Sequence, residues 1–174
     1  GKIKIEPNGI GDKVIVLKSG TGTGKSTVLP PKLYELFNER TNSNIAVTQP
    51  RVLTAIDIPT GLPEFYTFLE MGKNLGYNTG SYKRTPIDKG IIYMTTGILL
   101  QQMNIMNNDE FMKKYSFIFY TLEKILIYIL NHFKKGDNVS LLLIVVIGIR
   151  MVSPSDSLEL GRLRNISPTG RMGV

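Results

Sequence analysis

The sequence predicts an α/β fold in which a mostly parallel sheet is covered by helices on both faces. Two observations predict it: short apolar runs alternate with longer helical segments, and a glycine-rich run directly follows the first well-defined apolar strand. Strands are predicted at residues 13–17, 45–48, 91–94, 117–120 and 141–149. Helices are predicted at residues 26–39, 64–74, 97–106 and 122–135.

Prolines and glycines set the limits of the predicted helices. Pro30 and Pro31 fall in the first turns of the first helix, where a missing N–H costs least. A helix that begins after Arg51 should end near Ile56, because residues 57–63 contain two prolines and a glycine. The chain has no internal repeat and no low-complexity segment.

Composition limits the classes of function. A chain of 174 residues can bury one core, so we predict a single α/β domain over residues 1–150 and a basic tail over residues 151–174. The Gly, Arg, Ser and Pro content of that tail is typical of disordered termini. There is no cysteine and a single histidine, His132, which excludes a disulfide framework and a zinc site.

Charge and hydropathy indicate the environment. The net charge of +7 is compatible with a polyanionic partner such as nucleic acid. The longest apolar run, residues 141–149, is too short to cross a bilayer, and the first residues do not resemble a signal peptide. We therefore expect a soluble, intracellular protein.

A glycine-rich run marks a candidate phosphate-binding loop. Glycines between a strand and a helix let backbone N–H groups point at a phosphate chain, and the helix N-terminus adds partial positive charge. We expect Lys25 to contact the β- and γ-phosphates of a nucleotide and the Ser26 hydroxyl to coordinate Mg²⁺. The strict pattern has glycine where this chain has Ser19. The predicted nucleotide-binding residues are Gly20, Thr21, Gly22, Thr23, Gly24, Lys25, Ser26 and Thr27.

A second candidate segment, Thr48, Gln49, Pro50 and Arg51, follows the strand at residues 45–48. Ligands gather at the carboxyl ends of parallel strands, so this segment should lie on the same sheet edge as the phosphate loop. Gln49 and Arg51 can donate hydrogen bonds to a sugar-phosphate backbone. Taken alone, the segment also suits an ordinary strand-to-helix turn.

A third segment repeats this arrangement after the strand at residues 91–94. Thr95, Thr96 and the N–H of Gly97 can hydrogen-bond phosphate oxygens at the start of the next helix. Helix capping alone would explain the threonines. The joint order of the three segments therefore carries the argument.

That joint order resembles the first ATPase domain of superfamily 2 helicases of the DEAH-box type, in particular those of large DNA viruses. The glycine-rich run is similar to motif I of that family, the second segment to motif Ia, and residues 93–100 to its Tyr-Met-Thr-x-Gly-x-Leu-Leu segment. The resemblance covers residues 10–119. It implies a three-layer, RecA-like P-loop domain that uses ATP and Mg²⁺ and binds single-stranded RNA or DNA. The residues expected along the nucleic-acid strand are Gln49, Pro50, Arg51, Thr95, Thr96 and Gly97.

The chain departs from the family after Tyr120. The family continues with Asp-Glu-Ala-His. Its Asp holds Mg²⁺ through water, and its Glu orients the attacking water. This chain has Thr121, Leu122, Glu123 and Lys124 there, and Glu123 stands one position late. A one-residue shift on a helix rotates a side chain by about 100°. The C-terminal part is thus atypical and no second lobe is evident, so we expect hydrolysis to be impaired.

Two explanations fit this abrupt loss of resemblance. The chain is either a truncated or frame-shifted helicase gene product, which we favour, or a nucleotide-binding remnant with a new C-terminal segment. Two further classes of function stay open: a non-catalytic nucleotide-binding module and, less well supported, a P-loop small-molecule kinase. The arginine-bearing lid and the acidic pair that such kinases need have no convincing place in this sequence.

Overall fold

The computed structural model describes residues 2–5, 14–19, 24–121 and 142–148, and within them the chain forms eight strands and four α-helices. The strands are β1 (Lys2–Ile5), β2 (Val14–Ser19), β3 (Asn44–Gln49), β4 (Leu75–Asn78), β5 (Lys83–Arg84), β6 (Ile91–Thr95), β7 (Tyr115–Thr121) and β8 (Leu142–Gly148). The helices are α1 (Lys25–Phe37), α2 (Val52–Gly61), α3 (Thr96–Ile105) and α4 (Asn108–Lys114), and a 3₁₀ helix over Leu62–Glu64 follows α2.

The residues Gly24–Phe119 form one compact unit around a mostly parallel sheet. The strand order is β7-β3-β6-β4-β5. Strand β3 pairs in parallel with both β6 and β7, β4 pairs in parallel with β6, and β5 is antiparallel to β4. A mostly parallel sheet with helices between several of its strands is the arrangement that the alternating sequence pattern predicted. The predicted α/β fold class is confirmed.

The residues on either side of that unit form a second one. In it, β1 is antiparallel to β2, and β2 is parallel to β8. Ser19, the last residue of β2, is the register partner of Gly148 at the end of β8. The predicted strands at residues 13–17 and 141–149 are thereby confirmed.

Helices cover both faces of the sheet in the Gly24–Phe119 unit. Residues 45–49 on β3 and residues 91–94 on β6 are all buried. Successive side chains on a strand point to opposite faces, so consecutive burial requires cover on both sides. Helices α1, α2 and α3 each contact β6. The core of this unit therefore lies on both faces of the central strands.

The helix after Arg51 is longer than predicted. It ends at Gly61 instead of near Ile56, and Pro59 lies inside it. Proline has no N–H, so its position in the helix costs one backbone hydrogen bond. Ala55 and Pro59 are the buried residues of α2, and the helix contacts β4 and β6. Burial of Ala55 and Pro59 against the sheet offsets the missing hydrogen bond. Tertiary packing of this kind cannot be predicted from the positions of the prolines in the sequence.

The prediction of a helix over residues 64–74 was wrong. Residues 65–74 form turns and irregular structure instead. The Asn74 side chain donates to the carbonyl of Phe68 at 2.8 Å and accepts from the N–H of Glu70 at 2.7 Å. Gly72 has a left-handed φ of +90°. Side-chain bonds of this kind compete with the helical ladder, and a left-handed residue interrupts it.

Three strands and one α-helix were not predicted, although the helix has a clear sequence signal. Helix α4 begins with a capping box: the Asn107 side chain accepts from the N–H of Glu110, and the Glu110 carboxylate accepts from the N–H of Asn107. The pattern Asn-x-x-Glu is diagnostic of such a start. The three unpredicted strands are β1, β4 and β5. The helix predicted at residues 122–135 and the tail at residues 151–174 lie outside the described residues.

Candidate nucleotide-binding site

The candidate site begins at Gly24, the residue that precedes α1. Gly24 has φ +76° and ψ +22°, in the left-handed region. A Cβ added there would lie 2.8 Å from Cγ2 of Val28. The carbonyl of Gly24 accepts the N–H of Val28 at 2.7 Å, which closes the first turn of the helix. Glycine is thus required by both backbone conformation and space, in the place that the phosphate-loop pattern gives it.

Lys25 and Ser26 occupy the first turn of α1. The first N–H groups of a helix lack partners within the helix and carry its partial positive charge, so they favour a bound anion. Both residues are half-buried, whereas Thr27 is exposed. Lys25 and Ser26 therefore stand at a helix start, where backbone N–H groups can face an anion. Gly20, Thr21, Gly22 and Thr23 lie outside the described residues.

The side chain of Gln49 contacts the candidate loop directly. Gln49 is the last residue of β3 and is 5% exposed. Its Nε2 donates a hydrogen bond to the hydroxyl oxygen of Ser26 at 3.0 Å. The sequence placed these residues in two separate motifs, one for the nucleotide and one for a nucleic-acid strand. The structure joins the motifs through this bond.

A second contact holds the backbone of Ser26. In a regular helix its carbonyl would accept the N–H of residue 30, but residue 30 is proline and has no N–H. The hydroxyl of Tyr93 donates to this carbonyl at 2.6 Å. Tyr93 is fully buried on β6, and burial raises the pKa of its phenol well above the usual range. The phenol therefore stays protonated and keeps its donor at any ordinary pH.

The carboxyl ends of β3 and β6 lie side by side. Gln49 and Thr95 are register partners, so the residues that follow each strand emerge next to each other. Thr48, one residue earlier on β3, is fully buried and its hydroxyl donates to the carbonyl of Phe119 at 3.3 Å. This bond ties the end of β3 to β7. Among the described residues, the start of α1 and the ends of β3 and β6 therefore lie next to each other.

The residues after the two strands differ in exposure. Pro50 and Arg51 are exposed, and Arg51 is the N-cap residue of α2. Thr95 is the N-cap residue of α3, and both it and Thr96 are half-buried. Gly97 is exposed, with no atom within 4 Å of an added Cβ. The residues that follow β3 and β6 therefore form an exposed surface next to the buried Gln49. This surface consists of the cationic side chain of Arg51 and the start of α3.

Sequence reasoning missed the two bonds that converge on Ser26. A buried tyrosine on an apolar strand needs a partner for its hydroxyl, and Pro30 leaves a carbonyl without one. Those two signals are present in the sequence, but only the fold brings Tyr93 within reach of Ser26. The pairing of Gln49 with Ser26 has no local signal because the two residues are on different elements.

The donor set limits how a cation could bind. Nowhere in the described residues do three or more His, Cys, Asp or Glu side chains gather in a way that could hold a metal ion. The Ser26 hydroxyl accepts one hydrogen bond, from Gln49, and its oxygen keeps a second lone pair. A hydroxyl oxygen is a hard ligand of the kind that Mg²⁺ prefers. Ser26 therefore fits a magnesium ion that arrives with a nucleotide.

The described residues form an α/β domain in which a left-handed glycine precedes the first helix. The chain is similar to part of several RNA helicases. African swine fever virus has a protein named "Putative RNA Helicase B962L" that is 37% identical over 122 residues, 64% of this chain and 13% of that protein. "ATP-dependent RNA helicase TDRD9" of Mus musculus is 37% identical over 93 residues, 53% of this chain and 7% of that protein.

A yeast protein extends the comparison. "Probable ATP-dependent RNA helicase DHR2" of Saccharomyces cerevisiae is 35% identical over 106 residues, 60% of this chain and 14% of that protein. The predicted partial resemblance to a helicase domain is confirmed, including its viral branch. The chain spans between 7% and 14% of the length of these three relatives. No family model matches the chain. Within the described residues, no helix has both the length and the apolar character needed to cross a membrane.

Proposed function

We propose that this chain is the ATP-binding part of an ATP-dependent RNA helicase, corresponding to the first ATPase domain of the DEAH-box type. The observation that carries the proposal is the start of α1, where a left-handed Gly24 precedes Lys25 and Ser26 and the Ser26 hydroxyl is held by Gln49. The similarity to proteins named as RNA helicases supports it.

The nucleotide would bind through its phosphates at the N-terminus of α1. Gly24 gives the backbone its turn toward the phosphate chain, and Lys25 offsets the charge of the β- and γ-phosphates. Ser26 would hold Mg²⁺, which neutralises charge on the phosphate oxygens when bound. Because Gln49 and Tyr93 hold this turn, the binding groups are ordered before the ligand arrives.

Single-stranded RNA would bind at the carboxyl ends of β3 and β6. The exposed guanidinium of Arg51 suits a phosphate, and the start of α3 at Thr95, Thr96 and Gly97 offers N–H groups to a second one. Pro50 sets the direction of the chain between β3 and Arg51. Gln49 belongs to the same segment, but its side chain is engaged with Ser26.

Hydrolysis would be slow in this chain. The position of the family's Asp-Glu pair is taken by Thr121 and Leu122. Phosphoryl transfer depends on positioning the water and neutralising charge, so the loss of both carboxylates lowers the rate by orders of magnitude. A non-catalytic nucleotide-binding module is the second candidate function, and this replacement is the observation that favours it.

A shift of the reading frame near Tyr120 would explain the replacement. The similarity to helicases covers 64% of the chain at most among the three relatives, so part of the chain is not matched. Translation of the source DNA in its other two frames should then reveal Asp-Glu-x-His shortly after the codon of Tyr120. A source sequence with no such tetrapeptide in either frame would contradict the frame shift.

Calorimetry and single-turnover kinetics test the proposed function. The full chain should bind a magnesium-loaded, non-hydrolysable ATP analogue, and single-stranded RNA should tighten that binding. Hydrolysis of ATP in a single turnover should be slow, and any stimulation by RNA indicates a helicase domain. Nucleotide binding without RNA binding would favour the non-catalytic module instead. Correctly folded chain that releases no heat with the analogue would refute the proposal.

A further inference from the structure

Two buried side chains from neighbouring strands converge on one residue of the candidate loop. Gln49 on β3 donates to the hydroxyl of Ser26 at 3.0 Å, and Tyr93 on β6 donates to its carbonyl at 2.6 Å. Gln49 is 5% exposed and Tyr93 is fully buried. The serine is therefore held at both its side chain and its backbone by groups that belong to the core of the sheet.

The bond from Gln49 limits what the serine hydroxyl can do. A serine in the first turn of a helix has several local hydrogen bonds open to it, and these pull its hydroxyl to different rotamers. Once the hydroxyl oxygen accepts from the amide of Gln49, one rotamer is preferred, and one lone pair and one proton stay available for other partners. This is the state that a cation ligand requires.

The bond from Tyr93 limits the backbone at the same point. Pro30 removes the N–H that would otherwise hold the Ser26 carbonyl, so the first turn of α1 lacks one of its own restraints. Tyr93 supplies a donor from outside the helix. The position of the turn is thereby set by β6 and not only by the helix that carries Ser26.

We propose that Gln49 and Tyr93 are positioning residues for Ser26, which keep its hydroxyl in the rotamer and place needed to coordinate the magnesium ion of a bound nucleotide. The inference rests on the proposed nucleotide-binding function and adds two residues to it. It also gives Gln49, a member of the segment expected to follow the nucleic-acid strand, a role on the nucleotide side. Neither residue touches the nucleotide; both act through Ser26.

A double-mutant cycle on the full chain tests the inference. The affinity for a non-hydrolysable ATP analogue is measured by calorimetry with Mg²⁺ and with EDTA, for wild type, Gln49→Met, Ser26→Ala and the double variant. Gln49→Met should weaken binding roughly three- to tenfold with Mg²⁺, the worth of one net hydrogen bond. It should leave the affinity in EDTA unchanged. In the Ser26→Ala background it should have no further effect, because the group it positions is gone.

Gln102→Met is the matched control. Gln102 is half-buried on α3 and accepts a hydrogen bond from the fully buried Tyr115, so its replacement also removes one side-chain bond. Affinity for the analogue should stay at the wild-type value in both conditions. A general loss of stability would instead lower the affinity of both glutamine variants, so the control separates positioning from folding.

Tyr93→Phe gives an independent measurement, with Tyr115→Phe as its control. Removal of the Tyr93 hydroxyl should lower the Mg²⁺-dependent part of the affinity, whereas removal of the Tyr115 hydroxyl should not. If Gln49→Met shows no cooperative melt, the comparison of Tyr93→Phe with Tyr115→Phe tests the inference in its place. The inference would be overturned, and the proposed function kept, if wild type binds the analogue and Gln49→Met or Tyr93→Phe shows the same increase of affinity with Mg²⁺ as wild type. Wild type that does not bind the analogue would overturn the proposed function and the inference together.

Discussion

The hydroxyl of Tyr93 occupies the place of a backbone donor that Pro30 cannot supply to the carbonyl of Ser26. A proline inside a helix leaves the carbonyl four residues earlier without its partner. Here a fully buried tyrosine on β6 closes that gap at 2.6 Å. The sheet and the helix are thus joined by a hydrogen bond at Ser26, within the candidate nucleotide site.

Removal of the Tyr93 hydroxyl should change stability and its dependence on pH. Tyr93→Phe leaves a carbonyl without a partner, at a cost of about 1–3 kcal/mol near neutral pH. Burial raises the pKa of Tyr93 and of Tyr115, so both phenols stay protonated in the folded state above pH ~10, where those of the unfolded chain ionise. The unfolded state then binds fewer protons, so stability is full below that pH and falls as pH rises past it.

Denaturant unfolding at several values of pH between 8 and about 11 measures both effects. The fall in stability at alkaline pH should be shallower in Tyr93→Phe than in wild type. Tyr82→Phe is the control for stability, because Tyr82 is 61% exposed and loss of its hydroxyl should not destabilise the chain. An equal slope in wild type and Tyr93→Phe would refute the assignment of this effect to Tyr93.

Alanine at position 24 should destabilise the chain and weaken nucleotide binding. Gly24 has φ +76°, and a Cβ there would meet Val28 at 2.8 Å. The expected cost is about 1–3 kcal/mol, measured as a shift of the denaturant midpoint. Gly61→Ala is the opposite case. Position 61 has φ −83° and open space around it, so alanine there should raise the free energy of unfolding by up to about 1 kcal/mol. Equal effects of the two substitutions would contradict the strain at Gly24.

Loss of Lys25 should remove most of the affinity for a nucleotide without affecting the fold. In Lys25→Ala, the affinity for a magnesium-loaded ATP analogue should fall roughly 10- to 100-fold, because a charge-assisted contact to phosphate is lost. Lys32→Ala is the matched control on the same helix. Lys32 is exposed and pairs with Glu35 at 2.9 Å, so its loss should leave affinity unchanged. Calorimetry that finds Lys25→Ala equal to wild type would refute the nucleotide site.

Arg51 should contribute to binding of RNA but not of nucleotide. In Arg51→Ala, the slope of log affinity for single-stranded RNA against log salt should decrease by about one, as expected for one lost phosphate contact. Arg40→Ala is the control, since Arg40 is exposed beyond α1 and lies 5.8 Å from the ring of Phe37. Fluorescence anisotropy in a salt series measures the slope. An unchanged slope in Arg51→Ala would exclude Arg51 from the RNA surface.

Local patterns predicted five of the eight described strands. All five predicted strands are present, with ends within two residues of the predicted ones, because these strands are continuous apolar runs in the sequence. Helices were predicted less well. Pro59 lies inside α2 because tertiary burial offsets its missing hydrogen bond, and residues 65–74 are not helical because Asn74 and Gly72 act locally against a helix.

The sequence by itself determined the class of fold and the three segments that form the candidate site, since glycine turns, strand runs and their order along the chain are local properties. Only the tertiary structure decided how those segments are connected. The bonds from Gln49 and Tyr93 to Ser26 join residues 23 and 67 positions apart in the chain. Contacts at that separation depend on strand register and helix placement, which no local pattern specifies.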